Sequence, residues 1–142
     1  MDNFLTLFDL IGVLARRRYQ VGERYFAALG LNHTEARLLR LLSQEGGEAT
    51  QDALSNLLFV DRSNAGRALK RLEQEGYVAR NKDDADKRTN LVQITNKGLE
   101  AVKEISELGK EMAHSFFGDL TEDEAGTIVD LMRKVIPSEE YA

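Results

Sequence analysis

The sequence predicts a mainly α fold with one small antiparallel β element, an α+β protein in which helices dominate. Three observations lead there. Apolar residues recur at spacings of three and four along most of the 142-residue chain. Helix-capping residues stand where most of these stretches begin. Only the segment from Tyr77 to Thr95 changes period: the short β-favouring runs "YVARNK" and "NLVQIT" flank the polar turn "DDADKRT".

The first helix runs from Phe4 to about Leu29, with Phe4, Leu7, Phe8, Ile11, Leu14, Tyr25, Phe26 and Leu29 as its apolar set. At about 26 residues and roughly 39 Å it is long for a small domain and should extend beyond one core. Asn32 then caps a helix whose third position is Glu35, a capping-box spacing. Leu38, Leu39 and Leu42 face inward, and Gly46-Gly47 ends that helix. "TQDALSNLLF" is a short helix capped by Thr50, and Asp61 caps the next, which stops at Gly76. The hairpin follows. Thr95 caps a second long helix, Asn96 to about Gly118, with Leu99, Val102, Ile105, Met112, Phe116 and Phe117 as its apolar set. Thr121 and Glu124 form a capping box for a last helix, whose end Pro137 marks. The expected organisation is a single domain over 1–142, with a compact lobe at 32–95 and long flanking helices at 4–29 and 96–136.

Composition narrows the class. A 42% hydrophobic and 30% charged chain is an ordinary globular one. No apolar run approaches 18 residues, so no membrane span is expected. The N-terminus opens acidic and carries Arg16-Arg17-Arg18 after its apolar part, the reverse of a signal peptide, so a cytoplasmic location is expected. The absence of cysteine excludes disulfides and thiolate metal sites. His33 and His114 lie far apart with no close ligand set around them, and neither a phosphate-binding glycine loop nor a nucleophile–base signature occurs. No cofactor and no enzymatic activity are expected.

Net charge is −5, yet the excess is uneven. Residues 91–142 carry eleven acidic against five basic residues, whereas Asp61 to Leu72 carry Arg62, Arg67, Lys70 and Arg71 against Asp61 alone. Two short helices, a short turn between them and then a hairpin is the order of a winged helix-turn-helix. At 100° per residue, Ala65, Ala68, Leu69 and Leu72 of the second helix share one side. Ser63, Arg67, Lys70 and Gln74 fall opposite, with Asn64 and Arg71 on the flank. Short hydrogen-bonding side chains near the helix N-terminus can reach base edges, and peripheral Lys and Arg can neutralise phosphates. The basic pair Lys87 and Arg88 sits at the hairpin tip, where packing offers no reason for either.

In these segments the chain resembles the MarR type of transcription regulator (multiple antibiotic resistance regulators), from Phe4 to Ile136. The wing carries the Asp-x-Arg pair as Asp86-Lys87-Arg88 and then Ile94-Thr95-Asn96-Lys97-Gly98 where the family has Leu-Thr-x-x-Gly. The end of the recognition helix, Leu72 to Val78, reads "LEQEGYV" for the family's Leu-Glu-x-x-Gly before a Val. The resemblance implies a homodimeric regulator that binds double-stranded DNA, here read as a repressor on a pseudo-palindromic operator. Arg88 would enter the minor groove with Asp86 holding it, and the N-terminal and two C-terminal helices would make the dimer. It further implies a small aromatic or phenolic effector bound between the lobe and the dimer helices, near Tyr19, Tyr25, Phe26 and His33, although apolar and aromatic residues at helical spacing also read as core packing. Gly66 departs from the family, which usually has Thr or Ser there. A glycine inside a helix costs about 1 kcal/mol relative to Ala.

Overall fold

A computed structural model of the chain describes residues 1–58, 62–82, 84–86 and 88–136, with backbone alone at Arg62. Its elements are α1 (Asn3–Ala27), α2 (His33–Gln44), β1 (Glu48–Thr50), α3 (Gln51–Leu58), α4 (Arg62–Gln74), β2 (Val78–Lys82), β3 (Asn90–Ile94), α5 (Asn96–Phe116) and α6 (Glu122–Arg133). Asp61, expected as a cap, lies outside the described residues, as do Lys87 and Pro137.

The caps explain where the helices start. Asn32 Oδ1 accepts from Glu35 N at 2.8 Å while Glu35 Oε1 accepts from Asn32 N at 2.8 Å. Thr121 and Glu124 make the same reciprocal pair at the start of α6. Thr50 Oγ1 accepts from Ala53 N, and Thr95 Oγ1 from Gly98 N. Each satisfies an amide the first helical turn leaves without a partner. Asp2 caps α1 through Phe4 N and Leu5 N. Three boundaries differ from the expected ones. The α1 helix stops at Ala27 because the chain turns through Gly30 at φ 73°, with Leu31 N donating back to Phe26 O. The α5 helix stops at Phe116, and α6 at Arg133, short of Pro137.

The core lies in the lobe. Leu38, Leu39 and Leu42 of α2, Leu54 and Leu58 of α3, Leu69 and Leu72 of α4, Val78 and Val92 of the sheet and Ile105 of α5 are buried together. The sheet has the order β1-β3-β2, antiparallel throughout, with Ala49 opposite Val92 and Arg80 opposite Val92 on the other side. The β1 strand is an addition to the expected elements. Its three residues carry no period of their own and become a strand only by pairing with β3. The long helices behave differently. Phe4, Leu7, Phe8 and Ile11 are exposed on α1, Phe4 by 85%, and α6 buries none of its residues.

The base of the hairpin shows what Thr95-Asn96-Lys97-Gly98 does there. Thr95 caps α5 while its hydroxyl donates toward the carbonyls of Gly76 and Tyr77 at 2.7 and 3.0 Å, and Thr95 N donates to Tyr77 O. This draws α5 onto the α4–β2 turn so closely that a Cβ on Gly98 would collide with Tyr77 O and the Ile94 side chain. Gly98→Ala should therefore cost about 1–3 kcal/mol, as overpacking does, measured as a lower midpoint in urea. An unchanged midpoint would show that the turn has slack.

Candidate nucleic-acid interface

The α4 helix has two chemically distinct sides. Ala65, Ala68, Leu69 and Leu72 are buried, which fixes the helix by its inner face. Ser63, Asn64, Arg67, Lys70 and Gln74 lie on the other, open to solvent to differing degrees. Arg67 Nη2 donates to Asn64 Oδ1 at 2.9 Å, so the guanidinium is steadied by a neighbour one turn back. The Arg62 side chain lies outside the described residues. At Gly66 an added methyl would meet only Gln51 Nε2 at 3.4 Å, ordinary contact. Nothing within the described residues requires glycine there.

Arg71 behaves differently from its neighbours. Its guanidinium turns back to the protein, with Nη1 on Glu35 Oε1 at 2.6 Å and Nη2 on Gly30 O at 2.9 Å. Instead of joining the outward cations, it is committed to a carboxylate that is 1% exposed.

At the wing tip Asp86 Oδ1 accepts from Arg88 N at 3.0 Å and from Arg88 Nε at 3.2 Å. These bonds, the side-chain one first, hold the Asp86 carboxyl below the usual carboxylate range. Arg88 is 92% exposed, so the contact orients a side chain that otherwise reaches into solvent. Arg80, which no motif singles out, braces the wing base: Nε and Nη2 donate to Glu73 Oε1, and Nη1 to Gln51 Oε1. No local pattern announces that contact, because its acceptors come from two other elements.

Behind the lobe, α1, α2 and α5, with Met132 of α6, line a half-open cavity of about 750 Å³, well within the range of small-molecule sites. Leu14, Phe26, Ile105, Met112 and Phe116 give it an apolar interior. Arg18, Arg37, Arg40 and Lys110 give it cations, and none of the four is ion-paired among the described residues. Burial first, then the like charges of Arg18 and Arg40, hold the Arg37 guanidinium below its ordinary value. Of the four residues expected near an effector, Phe26 and His33 line this cavity, whereas Tyr19 and Tyr25 do not. Tyr19 packs edge-on against His33 at 5.2 Å. His33 is buried against Gly22, where a Cβ would collide with Nδ1. Desolvation first, with the charges of Arg37 and Arg18, lowers its pKa; Glu23 opposes this.

The profile of the MarR family matches residues 29–89, from the α1–α2 turn to the wing. An HTH-type transcriptional regulator of Bacillus subtilis, YkoM, is 31% identical over 105 residues, covering 74% of this chain and 68% of that protein. The chain belongs to the MarR family. The transcriptional repressor MprA of Escherichia coli is 31% identical over 110 residues, 77% of this chain and 62% of its own length. In structure, apo wild-type MarR from E. coli superposes with a TM-score of 0.83 at 27% identity, covering 92% of this chain and 96% of that one. A mutant MarR from E. coli complexed with operator DNA gives 0.81 at 26% identity, covering 95% and 96%. The family's winged-helix fold is thus present in this MarR-family chain, and among the described residues no helix is long and apolar enough to cross a membrane.

Proposed function

We propose that the protein is a sequence-specific DNA-binding transcription regulator: a homodimer on a pseudo-palindromic operator, acting as a repressor that a small aromatic or phenolic acid releases. The observation that carries the reading is the outer face of α4, which presents Ser63, Asn64, Arg67 and Lys70 beside a wing whose outermost Arg88 is held by Asp86. Arg67 has the fork geometry to pair with guanine in the major groove, and Lys70 acts as a phosphate contact. Arg88 suits a narrow minor groove, where negative potential concentrates. Arg62 and Lys87, next in sequence to Ser63 and Arg88, complete the proposed contact set. The operator complex of the related MarR supports this use of the fold.

Arg67→Ala should lose about 1–3 kcal/mol on the cognate site and relax preference at one base position. Lys70→Ala should weaken cognate and random duplex alike and lower the salt slope by about one. Arg88→Ala should lose about tenfold or more in operator affinity with little change in thermal midpoint. Asp86→Ala should also weaken binding although it removes a negative charge. Tighter binding by Asp86→Ala would make the wing a plain charge patch. Fluorescence anisotropy on a site selected from random duplexes measures all four.

The dimer reading rests on the exposed apolar residues of α1 and α6, which the lobe cannot cover. Sedimentation at micromolar concentration should give twice the monomer mass, and a 16.0 kDa species would exclude the dimer. An operator with half-sites about one helical turn apart follows from two-fold symmetry.

The effector reading rests on the cavity. Its apolar interior suits a ring, and the guanidinium groups of Arg18, Arg37 and Arg40, without acidic partners among the described residues, suit a carboxylate or phenolate. A panel of hydroxylated aromatic acids should include one that releases operator DNA. Arg37→Ala should raise the concentration it needs by about tenfold. Equal release from the variant would place the ligand elsewhere.

A further inference from the structure

One buried acid has no part in that reading. Glu35 is 1% exposed on α2, and a buried carboxylate is costly unless it is paired and hydrogen-bonded. Its Oε1 accepts twice, from Asn32 N at 2.8 Å and from Arg71 Nη1 at 2.6 Å. The second guanidinium nitrogen of Arg71 spans to Gly30 O at 2.9 Å. Gly30 stands at positive φ in the turn that joins α1 to α2. One side chain of α4 therefore grips two fixed acceptors on the α1–α2 junction, 36 and 41 residues away in the chain. A planar fork can serve two such acceptors at once; an ammonium serves as one point charge.

Apart from Glu73, which ties the end of α4 to Arg80 of β2, α4 is held by small or aliphatic groups, Ala65, Ala68, Leu69 and Leu72. Aliphatic packing sets depth well but rotation and slide poorly, whereas a two-point charged hydrogen bond sets both. The pair is also next to the cavity: Ala36, adjacent to Glu35, lines it, as does His33. The hydrogen bond and charge of Glu35 raise the Arg71 pKa, so the guanidinium stays charged at any relevant pH.

We propose that Glu35 and Arg71 are a positioning pair that fixes the register of α4 against the α1–α2 junction, and that Arg71 serves DNA binding through this contact rather than by touching phosphate. The second half of this statement rests on the DNA-binding reading above; the first half does not.

Arg71→Lys keeps the charge and removes the two-acceptor grip. It should weaken operator binding about fivefold, the scale of coupling between residues in contact, with the salt slope unchanged. Glu35→Gln removes a negative charge and should nonetheless weaken operator binding by a similar factor. The double variant should be no weaker than Arg71→Lys alone. If Arg71→Lys binds like wild type and Glu35→Gln binds every duplex more tightly, Arg71 is an electrostatic contact and the proposal fails. Amide hydrogen exchange on the DNA-free full chain reads the positioning without any operator. Both variants should lose protection in 64–74 and 29–33 while α5 keeps it, and wild-type protection there would overturn the pair. Failure of wild type to bind duplex, with these exchange changes present, would reject the DNA reading and keep the pair.

Discussion

The burial of α2 is the constraint on which the rest of the structure depends. Glu35, Ala36, Leu38, Leu39 and Leu42 are all at most 1% exposed, and His33 is buried too. A helix covered on nearly every side must have its neighbours supplied by the whole chain, and here α1, α3, α4, α5 and the sheet all pack on it. Its polar residues consequently each need a particular arrangement. Glu35 receives Arg71, and the His33 ring sits between Tyr19, Phe26 and the bare backbone of Gly22. Arg37 and Arg40 turn toward the cavity. One helix therefore supplies both the acceptor that holds Arg71 of α4 and, through His33, Ala36, Arg37 and Arg40, a wall of the cavity.

The His33 ring carries a cost that other parts of the junction offset. Its Nδ1 is the one buried side-chain polar atom among the described residues without a hydrogen-bond partner, and such a group costs about 1–3 kcal/mol. Two aromatic contacts and the His33 amide bond to Glu23 at 3.0 Å fix that same turn. Gly22 makes the approach of α1 possible, because any side chain there would displace the ring. The depressed pKa keeps the imidazole neutral, which is the form that tolerates burial beside Arg37 and Arg18.

Much of this was legible in the sequence because it is local. Asn32–Glu35 and Thr121–Glu124 are capping boxes at fixed spacing. The two sides of α4 follow from its period, and the hairpin from its change of period. The orientation of Arg88 by Asp86, implied by family resemblance, spans two residues. What sequence reasoning missed is contact at a distance. β1 exists because β3 offers it an edge. The Arg71 face could be read at 100° per residue, but its partner could not, since the flank of α4 meets α2 only after the lobe closes. Family resemblance alone places Tyr19 and Tyr25 near a pocket, and the cavity takes its cations from α1, α2 and α5 at positions no motif links.

The uneven charge has a physical consequence for the same surfaces. A net charge of −5 repels DNA at long range, although screening weakens this beyond a Debye length of about 10 Å at moderate salt. Within that length local charge dominates, and there the outer side of α4 and the wing present Arg67, Lys70 and Arg88. The acidic excess lies in residues 91–142, mostly on α5 and α6, away from that face in the chain order. The Arg71 guanidinium neutralises Glu35, an acid buried behind it. Binding that depends on few cations has a shallow salt slope and must draw its selectivity from how those few are aimed. Asn64 beside Arg67 and Asp86 beside Arg88 each hold a guanidinium through a bond of about 3 Å.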